Sequence, residues 1–294
     1  MIRKIANLLF TLLFLAGFGV LTYPVVSNQW NTYRQSQLIS SYDDVVEEMT
    51  VEDFSAEWSA AKGFTSQITQ NNIYADVFGE DSGDAANSDY RNVLNIGNDG
   101  IMGYISIPKI GVKLSIYHGT TDAVLQTGVG HLNGTSLPIG GEGTHSVLAA
   151  HRGLPSAELF TDVDQLQEGD VFYIHVLDDT LAYEVDQVLP MVDKDDMVTL
   201  SNALAIEEGK DYVTLFTCTP YGVNTHRLLV RGERIPFEPT EIADDSTPAS
   251  ALVENVTSYY MIYVYAGLII TLILILLLRL ILGGKKSKSM KEDI

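Results

Sequence analysis

Two long apolar runs bracket this chain, and the pattern between them changes character twice. Residues 5–26 are almost wholly apolar and follow Arg3 and Lys4. Residues 261–282 are apolar except for Arg279, with Tyr259, Tyr260, Tyr263 and Tyr265 at their start. A bilayer span needs ~20 apolar residues, so both runs qualify, and tyrosines at one end suit an interfacial belt. Lys285, Lys286, Lys288 and Lys291 follow the second run. The positive-inside rule then predicts two transmembrane helices with both chain ends in the cytoplasm and residues 27–260 outside, a two-pass protein of the cell membrane. A cleaved signal peptide is the rival reading of the first run. The segment after it, "LTYPVVSNQW", offers no A-x-A-like site, so an uncleaved anchor is the expectation.

Past the first run, residues 35–70 carry a helical period. Leu38, Tyr42, Val45, Val46 and Met49 recur at i, i+4, i+7 spacing. Thr50 and Asp53 form a capping-box pattern that opens a second helix, with Gly63 as a stop. The pattern then breaks at "YADVFGEDSGDAANSDY", an acidic, glycine-containing loop that is long for a compact domain. From residue 101 the signal turns to strands, in short segments rich in β-branched and aromatic residues. "MGYISIP", "KLSIYHG", "HSVLAAH", "DVFYIHV", "LAYEVDQVLP", "DYVTLFTC" and "HRLLVRGERI" read as short strands bounded mostly by Gly, Pro, Asp or Asn. The "LDDT" segment predicts a hairpin, and "FTDVDQLQEGD" a short helix between strands. Seven or more strands with few helical breaks indicate a closed barrel or a sandwich.

The expected organisation is an anchor over 1–26, a helical extension and loop over 27–95 and a β-domain over 96–236. A stalk over 237–258, a second span over 259–282 and a basic tail over 283–294 follow.

Charge adds a restriction. The outer region holds 11 Lys+Arg against 36 Asp+Glu. That excess of acid argues against nucleic acid and anionic lipid as partners of this region; a solvated extracytoplasmic surface explains most of it. The one cysteine, Cys218, rules out an intrachain disulfide, which many domains outside the cell use. It also rules out a thiolate zinc cluster, and the six histidines lack metal-ligand spacing, so no metal or cofactor is expected.

Cys218 ends the strand "DYVTLFTC", His151 ends "HSVLAAH", and Arg227 opens the strand after the "TPYGVNTH" loop. A cysteine nucleophile needs a base or cation to form thiolate and a donor for the oxyanion. These three residues supply that set at strand ends, where a rigid sheet presents a site. A lone cysteine is also commonly a small buried hydrophobe. His226 is a rival base, but beside Arg227 on one strand the two side chains point to opposite faces, so only one of them can join the thiol. No catalytic role is expected for His118, His131, His145 or His175. The glycines in "PIGGEG" lack the Lys-Ser/Thr and helix of a phosphate loop and read as a turn.

"TLFTCTPYGVNTHR" resembles the Thr-Leu-x-Thr-Cys…Arg signature of the sortases, and "AAHRG" resembles their histidine motif. The match runs in order from about Leu94 to Ile235. The two spans and the helical extension are similar to class C, the pilin-polymerising sortases. The resemblance implies a mainly β fold, a closed eight-stranded sortase-type barrel, and a metal-free cysteine transpeptidase outside a Gram-positive membrane. It implies that Cys218, His151 and Arg227 are catalytic, with Thr217 and Thr219 helping to line the substrate pocket. The implied substrate is a Leu-Pro-x-Thr-Gly-like sorting signal on a pilin, and the implied acceptor is a lysine of the next pilin. Attachment of proteins to a peptidoglycan precursor, a cysteine hydrolase with water as acceptor, and a non-catalytic anchored binding domain are the alternatives. Class C members resemble one another in a lid with an Asp-Pro-aromatic motif. Asp76, Val77 and Phe78 occupy its place here, with Val for Pro. The pattern implies that Asp76 pairs with Arg227 and Phe78 covers Cys218. Losing proline's stiffness is expected to favour opening by ~0.5–1 kcal/mol.

Overall fold

The computed structural model describes residues 2–70, 76–78, 88–237 and 267. The chain divides into two compact units, Met1–Ser246 and Thr247–Ile294. In the second, Gly267 is helical; the expected stalk and second span otherwise lie outside the described residues. Among the described residues one helix is long and apolar enough to cross a membrane, and it is the N-terminal one.

That helix, α1 (Ile2–Glu48), is a single element of 47 residues. It runs without a break across the boundary expected at residue 26. Pro24 lies inside it and removes one backbone donor. The polar stretch after Pro24 stays helical because one face has a surface to pack on. Gln35, Ile39 and Tyr42, at i, i+4 and i+7, are buried. Gln35 Nε2 donates to Thr127 O at 2.6 Å, Ser115 N donates to Gln35 Oε1 at 2.9 Å, and Leu177 N donates to Tyr42 Oη at 2.8 Å.

Helix α2 (Val51–Thr65) opens with the expected capping box between Thr50 and Asp53. It ends two residues past Gly63. Phe54, Trp58, Ala61 and Phe64 form its stripe against the core. After the lid segment, α3 (Ser88–Asn92) leads into the barrel.

The barrel strands are β1 (Ile101–Ile107), β2 (Val112–His118), β3 (Val129–His131), β4 (Thr144–Ala149), β5 (Val171–Val176), β6 (Asp179–Asp193), β7 (Asp211–Thr219) and β8 (His226–Ile235). They close in the order β1-β2-β3-β4-β7-β8-β6-β5. Two short helices, α4 (Asp122–Leu125) and α5 (Met197–Ala203), follow β2 and β6. The predicted "LDDT" hairpin is the β5–β6 turn, with Val176 opposite Asp179. The short helix expected in "FTDVDQLQEGD" is a 3-10 turn, Val163–Gln165. Closure depends on Gly103 in β1, where a Cβ would stand 2.3 Å from the His175 carbonyl oxygen of β5.

Inward side chains such as Ile105, Ile116, Leu148, Phe172, Leu215 and Val230 fill the barrel. A second apolar cluster lies on the other face of β4, β7 and β8. It joins Val147, Ala149, Phe216 and Leu229 to Leu200 and Leu204 around α5. Because side chains alternate along β7, Cys218 shares this outer face with Phe216.

Candidate active site

Cys218 and Arg227 are direct partners across the antiparallel β7–β8 pair. The loop between them returns the guanidinium beside the thiol. His151 arrives by a different route. Strand β4 runs parallel to β7 with Ala149 level with Phe216, and Ala150 N donates to Phe216 O at 3.2 Å. Continuing that register by two residues puts His151 level with Cys218. The spacing of the two residues in the sequence is thus the register offset of two adjacent parallel strands. The His151 segment is fastened twice more: Phe160 N donates to His151 O at 3.2 Å, and Thr217 Oγ1 donates to Ala150 O at 2.8 Å.

That last bond engages the hydroxyl of Thr217, a residue expected to help line the pocket. Alternation turns its side chain away from Cys218, it has no exposed surface, and its hydroxyl is engaged with the backbone before His151. It fastens the segment that carries His151. Thr219 falls on the same side of that alternation as Thr217, and its hydroxyl accepts from Arg152 Nη1 at 3.2 Å. Arg152 also donates to Thr161 O and pairs with Asp164, which braces the loop after His151.

The lid residues lie over this face. Arg227 Nε donates to Asp76 Oδ1 at 2.7 Å, and Nη2 pairs with Oδ2 in a bidentate contact. Arg227 Nη1 donates to Asn224 O and His226 O. Four of the five guanidinium hydrogens are therefore occupied. The Phe78 ring is 5.3 Å from the His151 ring, 6.0 Å from the Phe216 ring and 5.4 Å from the Arg227 guanidinium carbon, measured to its centroid. Val77, expected to loosen the lid, is 1% exposed and belongs to the outer apolar cluster. Its side chain helps pin the segment, which offsets the stiffness lost with proline.

The electrostatics follow from this cover. Burial pushes the Cys218 thiol up to about 11; Arg227 opposes the shift and Asp76 adds to it. Burial also lowers the pKa of His151, against the pull of the Asp122 carboxylate. Both shifts favour the neutral forms of the two groups under this cover. Asp122, in α4, is a neighbour that sequence reasoning missed, because only the folded chain brings that helix to His151.

The other histidines are elsewhere. His131 and His145 are buried and bonded to Ser136 O and Ala205 O, and the half-buried His175 is bonded to Ser106 Oγ. His118 bonds Gly100 O and Val93 O. His226 contacts Thr225 Oγ1 on the face of β8 opposite Arg227. A cleft of about 410 Å³ opens at Gly140, Asp211 and Arg234. It lies at the far end of β7, ~23 Å from Cys218 at 3.3 Å per residue.

Comparison with known proteins agrees with this geometry. A sortase domain model matches residues 105–235. The crystal structure of sortase C1 from Streptococcus agalactiae is 46% identical, with a TM-score of 0.62, over 69% of this chain and 100% of that one. A pilus-related sortase C of Group B Streptococcus is 39% identical, with a TM-score of 0.60, over 67% of this chain and 96% of that one. Sortase A of Bacillus anthracis is 27% identical over 158 residues, 52% of this chain and 70% of that protein. With the barrel, the strand-end cysteine and these relatives together, the chain belongs to the sortase family of cysteine transpeptidases, and within it to class C.

Proposed function

We propose that this protein is a membrane-anchored polymerase of pilins. Residues 5–26 hold it in the membrane, and the run at 261–282 is a second span, with the barrel on the outer side. The enzyme cleaves a Leu-Pro-x-Thr-Gly-like sorting signal and joins the released carboxyl to a lysine amine of the next subunit. The observation that carries this reading is the lid. Asp76 occupies the guanidinium of Arg227 and Phe78 covers the face that holds Cys218 and His151, so the thiol is withheld until the segment leaves.

Opening releases Arg227 and re-solvates Cys218, which lowers the thiol pKa. The thiolate attacks the Thr–Gly carbonyl, and Arg227 donates to the oxyanion. As the C–N bond breaks, imidazolium at His151 protonates the departing amine, leaving a thioester on Cys218. Neutral His151 then takes a proton from the incoming ammonium group, whose nitrogen displaces the thiolate. The thioester conserves the free energy of the broken peptide bond, so no nucleotide is consumed.

The test is product analysis with the full chain in detergent. A sorting peptide and a lysine-bearing pilin fragment should yield a thioester on Cys218 and then an isopeptide adduct, and Cys218→Ala should yield neither. A product formed only with water, or only with a cell-wall cross-bridge amine, would overturn the pilin reading.

A further inference from the structure

We propose that the catalytic end of the barrel rests on the bilayer surface, held there by α1 and by exposed aromatic and aliphatic side chains of the loops around the active site. The proposal rests on reading residues 5–26 as a span. At 1.5 Å per residue those 22 residues cover about 33 Å, against ~30 Å for the hydrocarbon core. The first residues past this run already touch the barrel. Ser27 Oγ donates to Ser156 O at 3.0 Å, and Glu158 N donates to Asn28 Oδ1 at 2.9 Å. Ser156 and Glu158 belong to the loop that follows His151 and returns to it through the Phe160 N to His151 O bond. The membrane boundary and the catalytic loop therefore meet within a residue or two of each other.

The rest of the helix fixes the direction of the barrel. Tyr42, bonded to Leu177 at the β5–β6 hairpin, is 15 residues beyond Ser27, or ~22 Å along the axis. That hairpin is the distal end. The β7–β8 loop is on the proximal side, because the Tyr221 ring packs 3.1 Å from the Cβ position of Gly153 in the His151 loop.

Surface composition follows the same axis. From β1 to β8 the exposed large hydrophobics are Met191, Val198, Tyr221 and Val223. All four sit where β6 ends, α5 begins and β7 turns into β8, at the catalytic end. Trp30 and Tyr33, 62% and 56% exposed, extend this belt on α1 just past the boundary. Such side chains favour the membrane–water interface. Asp195, Asp196 and Glu158 stand at the same end, so the contact is apolar and aromatic and needs no anionic lipid.

The two tryptophans give a built-in ruler. Trp30 is proximal, and Trp58, whose Nε1 donates to Asp178 Oδ1 at 2.8 Å, is distal. The full chain is reconstituted in phosphatidylcholine vesicles with and without a nitroxide-bearing phosphatidylcholine. Emission is read from Trp58→Phe, from Trp30→Phe, and from Trp30→Phe/Trp58→Phe/Tyr221→Trp. Loss of emission from Trp30 and from the tryptophan introduced at 221, with retention at Trp58, supports the proposal. Quenching at Trp30 with none at 221 refutes the orientation, as does quenching at Trp58, and leaves the anchor intact. A chain extracted from the vesicles by alkali refutes the anchor and the orientation together.

Discussion

Removing the lid contacts should turn Cys218 from a protected thiol into a reactive one, and the size of the change can be worked out. The perturbation is Asp76→Ala with Phe78→Ala. In the closed state burial pushes the thiol to about 11 from an ordinary value of 9.0, with Asp76 contributing in the same direction. The variant removes the ring that excludes water and the carboxylate, and it leaves Arg227 free to favour thiolate. A return of two pH units raises the thiolate fraction ~100-fold at neutral pH. Each thiolate becomes less nucleophilic as its pKa falls, with a Brønsted slope of ~0.4–0.5, which takes back about tenfold. The net expectation is alkylation about tenfold faster at neutral pH, before any gain from steric access. The assay is the pseudo-first-order rate of iodoacetamide labelling, read by mass from about pH 6 to about 11. The rate should rise at neutral pH, and its pH midpoint should fall toward the ordinary thiol value. Equal rates and equal midpoints in wild type and variant would show that the lid does not control the thiol.

Val77→Ala should also speed labelling, because truncating a buried side chain in the outer cluster weakens closure by about 1–2 kcal/mol; an unchanged rate would place the hold on the ion pair alone. His151→Ala and Arg227→Ala should each lower peptide turnover ~10²–10⁴-fold, whereas His226→Ala, on the opposite face of β8, should cost far less; the reverse ranking would refute the assignment of the base. Stability should fall as pH drops from about 6.5 toward 4. Burial lowers His131, His145 and His175 to about 4, so in that window the unfolded chain binds protons that the native state refuses. The loss is of order 1–2 kcal/mol per histidine by about pH 5, and a urea midpoint unchanged between about pH 7 and about pH 5 would contradict it.

Seven of the eight strands were visible in the sequence because each is a run of six residues or more, rich in β-branched and aromatic residues and bounded mostly by turn residues. The eighth, β3, has three residues, too few for such a run to show. The pairing of Cys218 with Arg227 was readable because both flank one loop of an antiparallel pair. The level of His151 was not: it depends on the parallel register of β4 and β7, which the 66 residues of intervening chain have to fold to set. Alternation, applied to His226 and Arg227, separated their faces. Applied one strand earlier, it would have separated Thr217 from Cys218. The continuity of α1 was hidden because Pro24 and the polar residues after it resemble a linker, and only the barrel surface supplies a partner for the Gln35–Ile39–Tyr42 face. The burial of Val77 was hidden for the same reason, since its neighbours come from β4, α5, β7 and β8.

Closure of the barrel restricts how a peptide can be held. Many proteins bind extended peptides by adding them as a strand to an open sheet edge, where backbone hydrogen bonds grip any sequence. Here every strand has a neighbour on both sides, so no strand offers such an edge along its whole length. Affinity must then come from side chains and loops at the catalytic end, which distinguish one sequence from another. Closure has a second consequence: the described barrel strands leave no full-length ladder of free amides and carbonyls on which extended segments could aggregate.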